Sequence, residues 1–252
     1  MNPAWTAALP AAAGLLAASQ RAVAFTGAGI STPSGIPDFR SAGSGLWNRF
    51  DPMQTASLST FRSNPARFYD WLRPLLNQIW AAEPNPAHTA LAGLEQRRCL
   101  SAVITQNIDG LHQSAGSQDV LEVHGSLETM TCNRCRTTFP AIQFQSALIQ
   151  PNGLPRCPQC ARVLKPDIVL FEERLPAEVW AAAEYYCETA DLVLVVGSSL
   201  EVSPANLLPQ LAVQHGAKLV ILNATSTALD AAADVILTGD AAEILPALVQ
   251  LL

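Results

Sequence analysis

The chain has 252 residues, 49% of them hydrophobic and 14% charged, and a formal net charge of −6. That length allows one large domain or two smaller ones of roughly 150 residues each, with a core sizeable enough to fold without disulfides. The acidic balance argues against nucleic-acid binding through the whole surface, and no run approaches the ~18 apolar residues of a membrane span.

Residues 1–20 hold no charged side chain, and the first arginine, Arg21, follows the apolar stretch instead of preceding it. A secretory signal needs the reverse order, so an amphipathic opening helix and a cytoplasmic location are expected. Ala22–Phe25 is then a continuous apolar run that breaks into Thr26-Gly27-Ala28-Gly29. Such a run, closed by glycines, fits a strand buried on both faces of a parallel sheet. The pattern returns at Ala102–Ile104, Leu192–Val196, Lys218–Leu222 and Val235–Leu237, each followed by polar residues or glycine. Helical periodicity fills the gaps at Ala66–Trp80, Ala87–Glu95, Ala177–Ala190, Pro204–His215 and Ala241–Leu252. Strands alternating with helices predict an α/β fold, a Rossmann-like doubly wound parallel sheet with ligands outside the carboxyl ends of its strands.

Two stretches break the alternation. Residues 30–65 are rich in Ser, Pro, Gly and Asn and read as a long loop with short helical pieces over that crevice. Residues 128–165 hold two C-x-x-C pairs, Cys132/Cys135 and Cys157/Cys160, separated by 21 residues. Four thiolates at this spacing close a tetrahedron around zinc and leave no position for water, so the ion would be structural. The expected organisation is therefore residues 1–127 and 166–252 as the large domain, including the loop and helical part at about 30–85, and 128–165 as a small inserted zinc module. From Thr129 to Leu164 there are four arginines and no acidic residue. A solvated basic face is the reading preferred over a nucleic-acid site, because no aromatic residues interleave to stack on bases. Cys99 and Cys187 read as small buried hydrophobes, and His88 and His215 as core histidines.

The first glycine loop, Gly27-Ala28-Gly29-Ile30-Ser31-Thr32, departs from the G-x-G-x-x-G dinucleotide pattern, and by itself fits a phosphate cradle or a structural turn equally well. The sequences around it are more particular. G-A-G-I-S and I-P-D-F-R (Ile36–Arg40) are followed by T-Q-N-I-D (Thr105–Asp109), E-V-H-G (Glu122–Gly125), the cysteine pairs, K-P-D-I-V-L-F (Lys165–Phe171) and Gly197-Ser198-Ser199. In this combination, spanning about Arg21 to Leu248, the chain resembles the sirtuin family of NAD-dependent protein lysine deacylases.

The resemblance implies that NAD and an acyl-lysine peptide meet in the cleft beside the zinc module. It implies a cofactor-binding set of Gly27, Ala28, Gly29, Thr32, Phe39, Arg40, Gln106, Asn107, Ile108, Asp109, Gly197, Ser198, Ser199, Asn223, Asp240 and Ala241. Asp38 is either a brace of the loop or a group near the cofactor, and His112 a possible brace of the T-Q-N-I-D turn. His124 would be the general base on a ribose hydroxyl, a task suited to imidazole near neutral pH, with Asn107 and Asp109 ordering the carboxamide and ribose. The acyl group would pass from lysine to ADP-ribose with release of nicotinamide. The peptide would pair as a strand between Val169-Leu170-Phe171 and Glu201-Val202-Ser203.

Two departures from the family's pattern matter. Glu172 stands where most relatives have glycine, which puts the local backbone in doubt and adds a carboxylate beside the peptide path, with an expected mild preference for basic flanking residues. Tyr69 and Arg73 are spaced one residue wider than the Tyr-x-x-Arg of relatives that prefer succinyl or malonyl lysine, so acetyl is the expected acyl group. The partners expected are acetylated lysines on proteins, with no membrane, no nucleic acid and a monomer favoured. Desuccinylation or demalonylation, mono-ADP-ribosyl transfer on the same site and a non-enzymatic zinc-bearing binding module are the alternatives.

Overall fold

A segment that is apolar on every side can be covered only from both sides. The computed structural model, which describes residues 4–38 and 50–252, shows each of the five apolar runs as a parallel strand; four are covered in that way, while Val235–Thr238, at the sheet's edge, buries only Leu237 fully and leaves Ile236 exposed. In chain order the first half comprises α1 (Leu9–Ala18), β1 (Ala22–Thr26), α2 (Pro52–Thr55), α3 (Leu58–Ser63), α4 (Pro65–Ala81), α5 (Pro86–Gln96) and β2 (Ala102–Thr105). Then come α6 (Leu111–Ser114), β3 (Val120–Glu122), β4 (Gly125–Thr131), β5 (Thr138–Pro140), α7 (Gln145–Ile149) and β6 (Lys165–Ile168). The chain ends with α8 (Ala177–Thr189), β7 (Leu192–Val196), α9 (Leu207–Gln214), β8 (Lys218–Asn223), β9 (Val235–Thr238) and α10 (Ala241–Val249).

The large sheet has the order β3-β2-β1-β7-β8-β9, with every pair parallel. Alternate residues of one strand reach opposite faces. Ala22 and Ala24 of β1 therefore face α1, α5 and α10, while Val23 and Phe25 face α8 and α9. The opening helix is amphipathic by burial more than by composition: Leu9, Ala12, Ala13 and Leu16 are covered, and the opposite face is largely alanine. β3 was not anticipated. It is a three-residue edge strand, half-buried throughout, and lacks the continuous apolar run that marks its neighbours. Among the described residues no helix is long and apolar enough to cross a membrane.

A second, three-stranded antiparallel sheet, β5-β4-β6, carries the cysteines. Its strands β4 and β6 begin before and end beyond residues 128–165. A separate core joins it to α4, where Phe68, Tyr69, Leu72 and Leu76 pack with Met130, Leu148, Cys157 and Leu164. Each such fully buried apolar side chain contributes roughly 1.5–3 kcal/mol by leaving water. Packing thus groups α4 with the zinc-bearing sheet, whereas the sequence reading attached residues 30–85 to the larger domain.

The chain runs outward from β1 to β2 and β3, builds the small sheet, and returns to β7 on the other flank of β1. The strand order therefore reverses between β1 and β7, and a crevice opens at such a switch point. The turns leaving both strands meet there main chain to main chain: the Gly29 amide donates to the Gly197 carbonyl at 2.8 Å. A Cβ on Gly29 would lie 2.8 Å from Gly197 Cα, and one on Gly197, whose φ is +60°, would lie 2.3 Å from the Ile30 amide nitrogen. Glycine is required at both positions. Alanine at Gly197 is expected to cost more than about 2 kcal/mol, read as a lower urea midpoint at unchanged slope.

Candidate active site

Thr26 and Thr105 end adjacent strands, and their buried hydroxyls bond at 2.7 Å. Since Thr26 Oγ1 gives its proton to Thr105, it accepts the 2.9 Å bond from His112, whose ring is therefore protonated on Nε2. Thr105 Oγ1 also accepts from the Asn107 amide at 3.1 Å, which turns the chain sharply out of β2.

Ser31 is the hub of the next layer. Its hydroxyl donates to Asp109 Oδ2 at 2.7 Å and accepts from Asn107 Nδ2 at 3.1 Å. His88 stands behind it: Nδ1 accepts from the Asn85 amide at 3.3 Å, which leaves Nε2–H directed at Ser31 Oγ, 3.4 Å away. Asn85 caps α5 and also donates to the Ile30 carbonyl at 2.8 Å, fixing the turn that carries Ser31. Asn107 makes a second bond to the Gly27 carbonyl at 3.2 Å, and Asp109 Oδ1 accepts from the Leu111 amide at 3.0 Å. Burial raises the Asp109 carboxyl above the usual aspartate range.

Sequence reasoning did not find this bracing role for Ser31 and His88. Ser31 lies inside G-A-G-I-S, but its side-chain partners come from two separate segments, α5 and the turn after β2. His88, taken as a core histidine, is fully buried and orients the site through Ser31. His112 does support the T-Q-N-I-D turn, through the two threonines.

His124 follows β3. Its Nδ1 lies 3.0 Å from the Gln106 carbonyl, which can only accept, so Nδ1 carries the proton and the basic lone pair resides on Nε2. Gln106 is held in turn by its amide bond to the Thr26 carbonyl at 3.0 Å and by its side-chain bond to Ser198 Oγ at 2.9 Å. Glu122, two residues before His124, is pushed up to about 7, chiefly by burial.

Two cavities meet at His124. One, of about 950 Å³, follows the ends of β1, β7, β8 and β9. It is lined by Gly27, Ala28, Gly29, Thr32, Asp38, Gln106, Asn107, Gly197, Ser198, Ser199, Asn223, Asp240 and Ala241. Asp240 there is also the N-cap of α10, accepting from the Ala242 amide at 2.8 Å. The other cavity, of about 660 Å³, runs beneath α4 and α8 and is walled by Trp71, Leu75, Ile79, Leu170, Leu175 and Trp180. Ile108 and Asp109 line this second cavity, and Ala28, Gln106, Asn107, His124 and Val202 line both. Phe39 and Arg40 lie outside the described residues.

Tyr69 and Arg73 line neither cavity. Tyr69 donates to the Leu164 carbonyl at 2.6 Å, and Arg73 donates to the Leu148 and Gly153 carbonyls at 2.7 and 3.3 Å and pairs with Asp70. They share a helical face, as their spacing allows, but that face is turned into the zinc-bearing sheet. No acidic acyl group is met by that arginine.

The segment Val169–Phe171 does not offer a complete ladder to a peptide. The Val169 amide is taken by the His124 carbonyl at 2.7 Å, and the Leu170 amide by Glu173 Oε2 at 3.0 Å. Phe171 pairs through both main-chain groups with Ala56 and Leu58 at 3.0 Å each. Glu173 is itself locked by buried Lys165 at 2.8 Å. Among the described residues, the Val169 carbonyl and the main-chain groups of Glu172 are what remain for a substrate strand. Glu172 adopts φ +74°, so the backbone has the left-handed form that glycine would favour, at a cost of roughly 1–2 kcal/mol for a residue with a Cβ. Its carboxylate turns to Ser59 instead of lying free beside the peptide path.

The four cysteine sulfurs lie within 4.8 Å of one another, with Cys132–Cys160 at 3.4 Å and Cys135–Cys157 at 3.5 Å. Disulfide sulfurs would be about 2.0 Å apart, whereas ligands of a tetrahedral zinc at 2.3 Å stand about 3.8 Å apart. Each pair sits on the same kind of turn. Arg136 and Ala161, the residues after the second cysteine, have φ near +60°, and their amides donate back to Cys132 and Cys157 at 2.8 and 2.9 Å. The set suits a closed, structural zinc ion.

Residues 27–204 match the model of the Sir2 family. The chain belongs to that family. An NAD-dependent protein deacetylase of Pyrobaculum aerophilum is 45% identical over 238 residues, covering 94% of this chain and 92% of that protein. An NAD-dependent protein deacylase of Archaeoglobus fulgidus is 45% identical over 95% of this chain and 94% of its own length. A solved Sir2 with a deacetylated p53 peptide and 3′-O-acetyl-ADP-ribose superposes with a TM-score of 0.91 at 38% identity, covering 96% of this chain and 97% of that one. The Sir2 fold thus accounts for both layers described above.

The zinc site should release one ion per chain to a chelating dye after thiol modification. Cys157→Ser should retain little metal and melt roughly 10 °C lower, because the metal's binding energy is folding energy for so small a sheet. Burial keeps His88 and His112 neutral, at about 4 and about 3. The unfolded chain therefore binds more protons between these values and 6.5, and their contribution to stability is lost as the pH falls through that window. Glu122 and Asp109, both raised, act in the opposite sense. Urea unfolding at pH 7.5 and pH 5 should show His112→Gln losing roughly 2 kcal/mol less than the parent over that interval.

Proposed function

We infer that the chain is an NAD-dependent protein lysine deacetylase. The observation that carries this reading is the junction of a polar, strand-end cavity and an apolar cavity at one imidazole of defined tautomer. The cofactor would lie along the first cavity, on the Gly27–Gly29 and Gly197–Ser199 turns, with Asn223, Asp240 and Ala241 at its far end. Bound there, NAD supplies a ribose carbon that becomes electrophilic as nicotinamide leaves, and it accepts the acyl group.

The remaining work falls to the protein. His124 Nε2 takes a proton from the adjacent ribose hydroxyl, while the Nδ1 proton, held by the Gln106 carbonyl, steadies the ring. Asn107 and Asp109, both tied to Ser31, present an amide and a carboxyl at a fixed separation to order the nicotinamide end. The Val169 carbonyl and the free main-chain groups of Glu172 take the peptide, and Val202 closes the opposite side. Trp71, Leu75 and Ile79 surround the acyl chain with hydrocarbon and exclude water from the transfer.

The same apolar lining supports acetyl over acidic acyl groups, since Arg73 and Tyr69 are bonded elsewhere. Everything this reading requires lies in one chain, which fits a monomer acting on acetylated lysines of proteins, and four reduced thiolates fit a cytoplasmic setting.

The test is release of nicotinamide from NAD that depends on an acetyl-lysine peptide, with matching loss of 42 Da from the peptide, as expected for removal of one acetyl group (about that mass in any peptide). His124→Ala should lower kcat by roughly 10²–10⁴ with little change in melting temperature. A succinyl peptide should be turned over at least about tenfold more slowly than its acetyl counterpart. Nicotinamide released at the same rate without peptide would instead indicate plain NAD hydrolysis.

A further inference from the structure

Glu172 departs from the glycine of the family's pattern and nevertheless keeps the left-handed backbone, with φ +74°. Something holds it there. Its Oε2 accepts from the Ser59 amide at 2.8 Å, and its Oε1 accepts from the Ser59 hydroxyl at 3.1 Å. Ser59 lies in the first turn of α3, so the bond also satisfies one of the amides that a helix leaves without an internal partner. Immediately beside it, Phe171 pairs with Ala56 and Leu58. Ala56 belongs to the wall of the apolar cavity, and so does Glu172 itself.

Three connections therefore fasten the α2–α3 segment to the segment that follows β6. Two of them are main-chain pairs that do not depend on residue type, and the third depends on this carboxylate alone. Glu172 is also the residue whose own peptide N–H and carbonyl have no partner among the described residues. A side chain anchored to Ser59 fixes the rotation of that peptide unit, and with it the direction in which those two groups point.

We propose that Glu172 is a positioning residue for the acyl-lysine peptide: its carboxylate latches the α3 wall and orients its own main-chain groups toward the groove. The proposal rests on the deacetylase reading for the identity of the peptide, but the latch can be observed without it. The bonds to Ser59 leave the carboxylate charged, so the expected preference for basic flanking residues is a separate effect of the same side chain.

Glycine at this position removes the backbone penalty together with the latch, so Glu172→Gly should fold as well as the parent. A loss of peptide affinity in that variant cannot be assigned to misfolding. With an acetyl-lysine peptide, Glu172→Gly is expected to raise the peptide KM three- to tenfold, while the KM for NAD and the turnover at saturating peptide change less than twofold. Glu172→Gln, which keeps an acceptor for the Ser59 amide, should recover most of the affinity, and Ser59→Ala should give a smaller loss than the glycine variant. Hydrogen exchange, measured without peptide or NAD, should show the Ser59 amide exchanging at least tenfold faster in Glu172→Gly. That exchange reports on the latch even for a protein that turned over no acetyl peptide, so the two failures are distinguishable. Unchanged Ser59 exchange, an unchanged peptide KM, or an equal rise in the KM for NAD would each overturn the proposal.

Discussion

The turns leaving β1 and β7 touch backbone to backbone, and the rest of the site is hung from that contact. With no Cβ on Gly29 or Gly197, the Gly29 amide reaches the Gly197 carbonyl and the two strand ends close to hydrogen-bonding distance. That closure sets where Ser31 emerges. Ser31 in turn sets Asn107 and Asp109, and Ser198, the residue after Gly197, sets Gln106 and through its carbonyl His124. A displacement at the glycines would pass to Asn107, Asp109, Gln106 and His124 at once. Gly29 and Gly197 therefore have a structural role whatever else the turn binds.

Support for the site comes from neutral groups held dry. His88 and His112 sit edge to face with ring centres 5.0 Å apart, both kept unprotonated by burial, and they bond to hydroxyls instead of carboxylates. A protonated ring at either place would leave an uncompensated charge in the interior. The arrangement orders Asn107 and Asp109 through uncharged rings.

Much of this was legible in the amino acids, for identifiable reasons. Strands covered on both faces write themselves as unbroken apolar runs, so β1, β2, β7 and β8 were visible; the edge strand β9 showed by its Val-Ile-Leu run although only Leu237 is fully buried, and thiolate ligands have a spacing that little else imitates. β3 was not visible because it is short and half-buried, and β4 because Thr129, Thr131 and Glu128 give it the composition of a loop. Residues that act through others were the hardest to find. Ser31 and His88 carry no pattern of their own, and only the fold brings their partners together. Tyr69 and Arg73 illustrate the converse: spacing placed them on one helical face, but which way that face looks is decided by Phe68, Leu72 and Leu76 packing into the small sheet.

The arginines around the zinc turns can be understood in the same terms. Arg134, Arg136, Arg156 and Arg162 are all exposed and all belong to the stretch that bears the four sulfurs. A zinc ion held by four thiolates carries a net charge of about −2. With zinc bound, the four positive charges of this stretch and the site's charge of about −2 would leave it a net charge of about +2, half of what the side chains alone suggest.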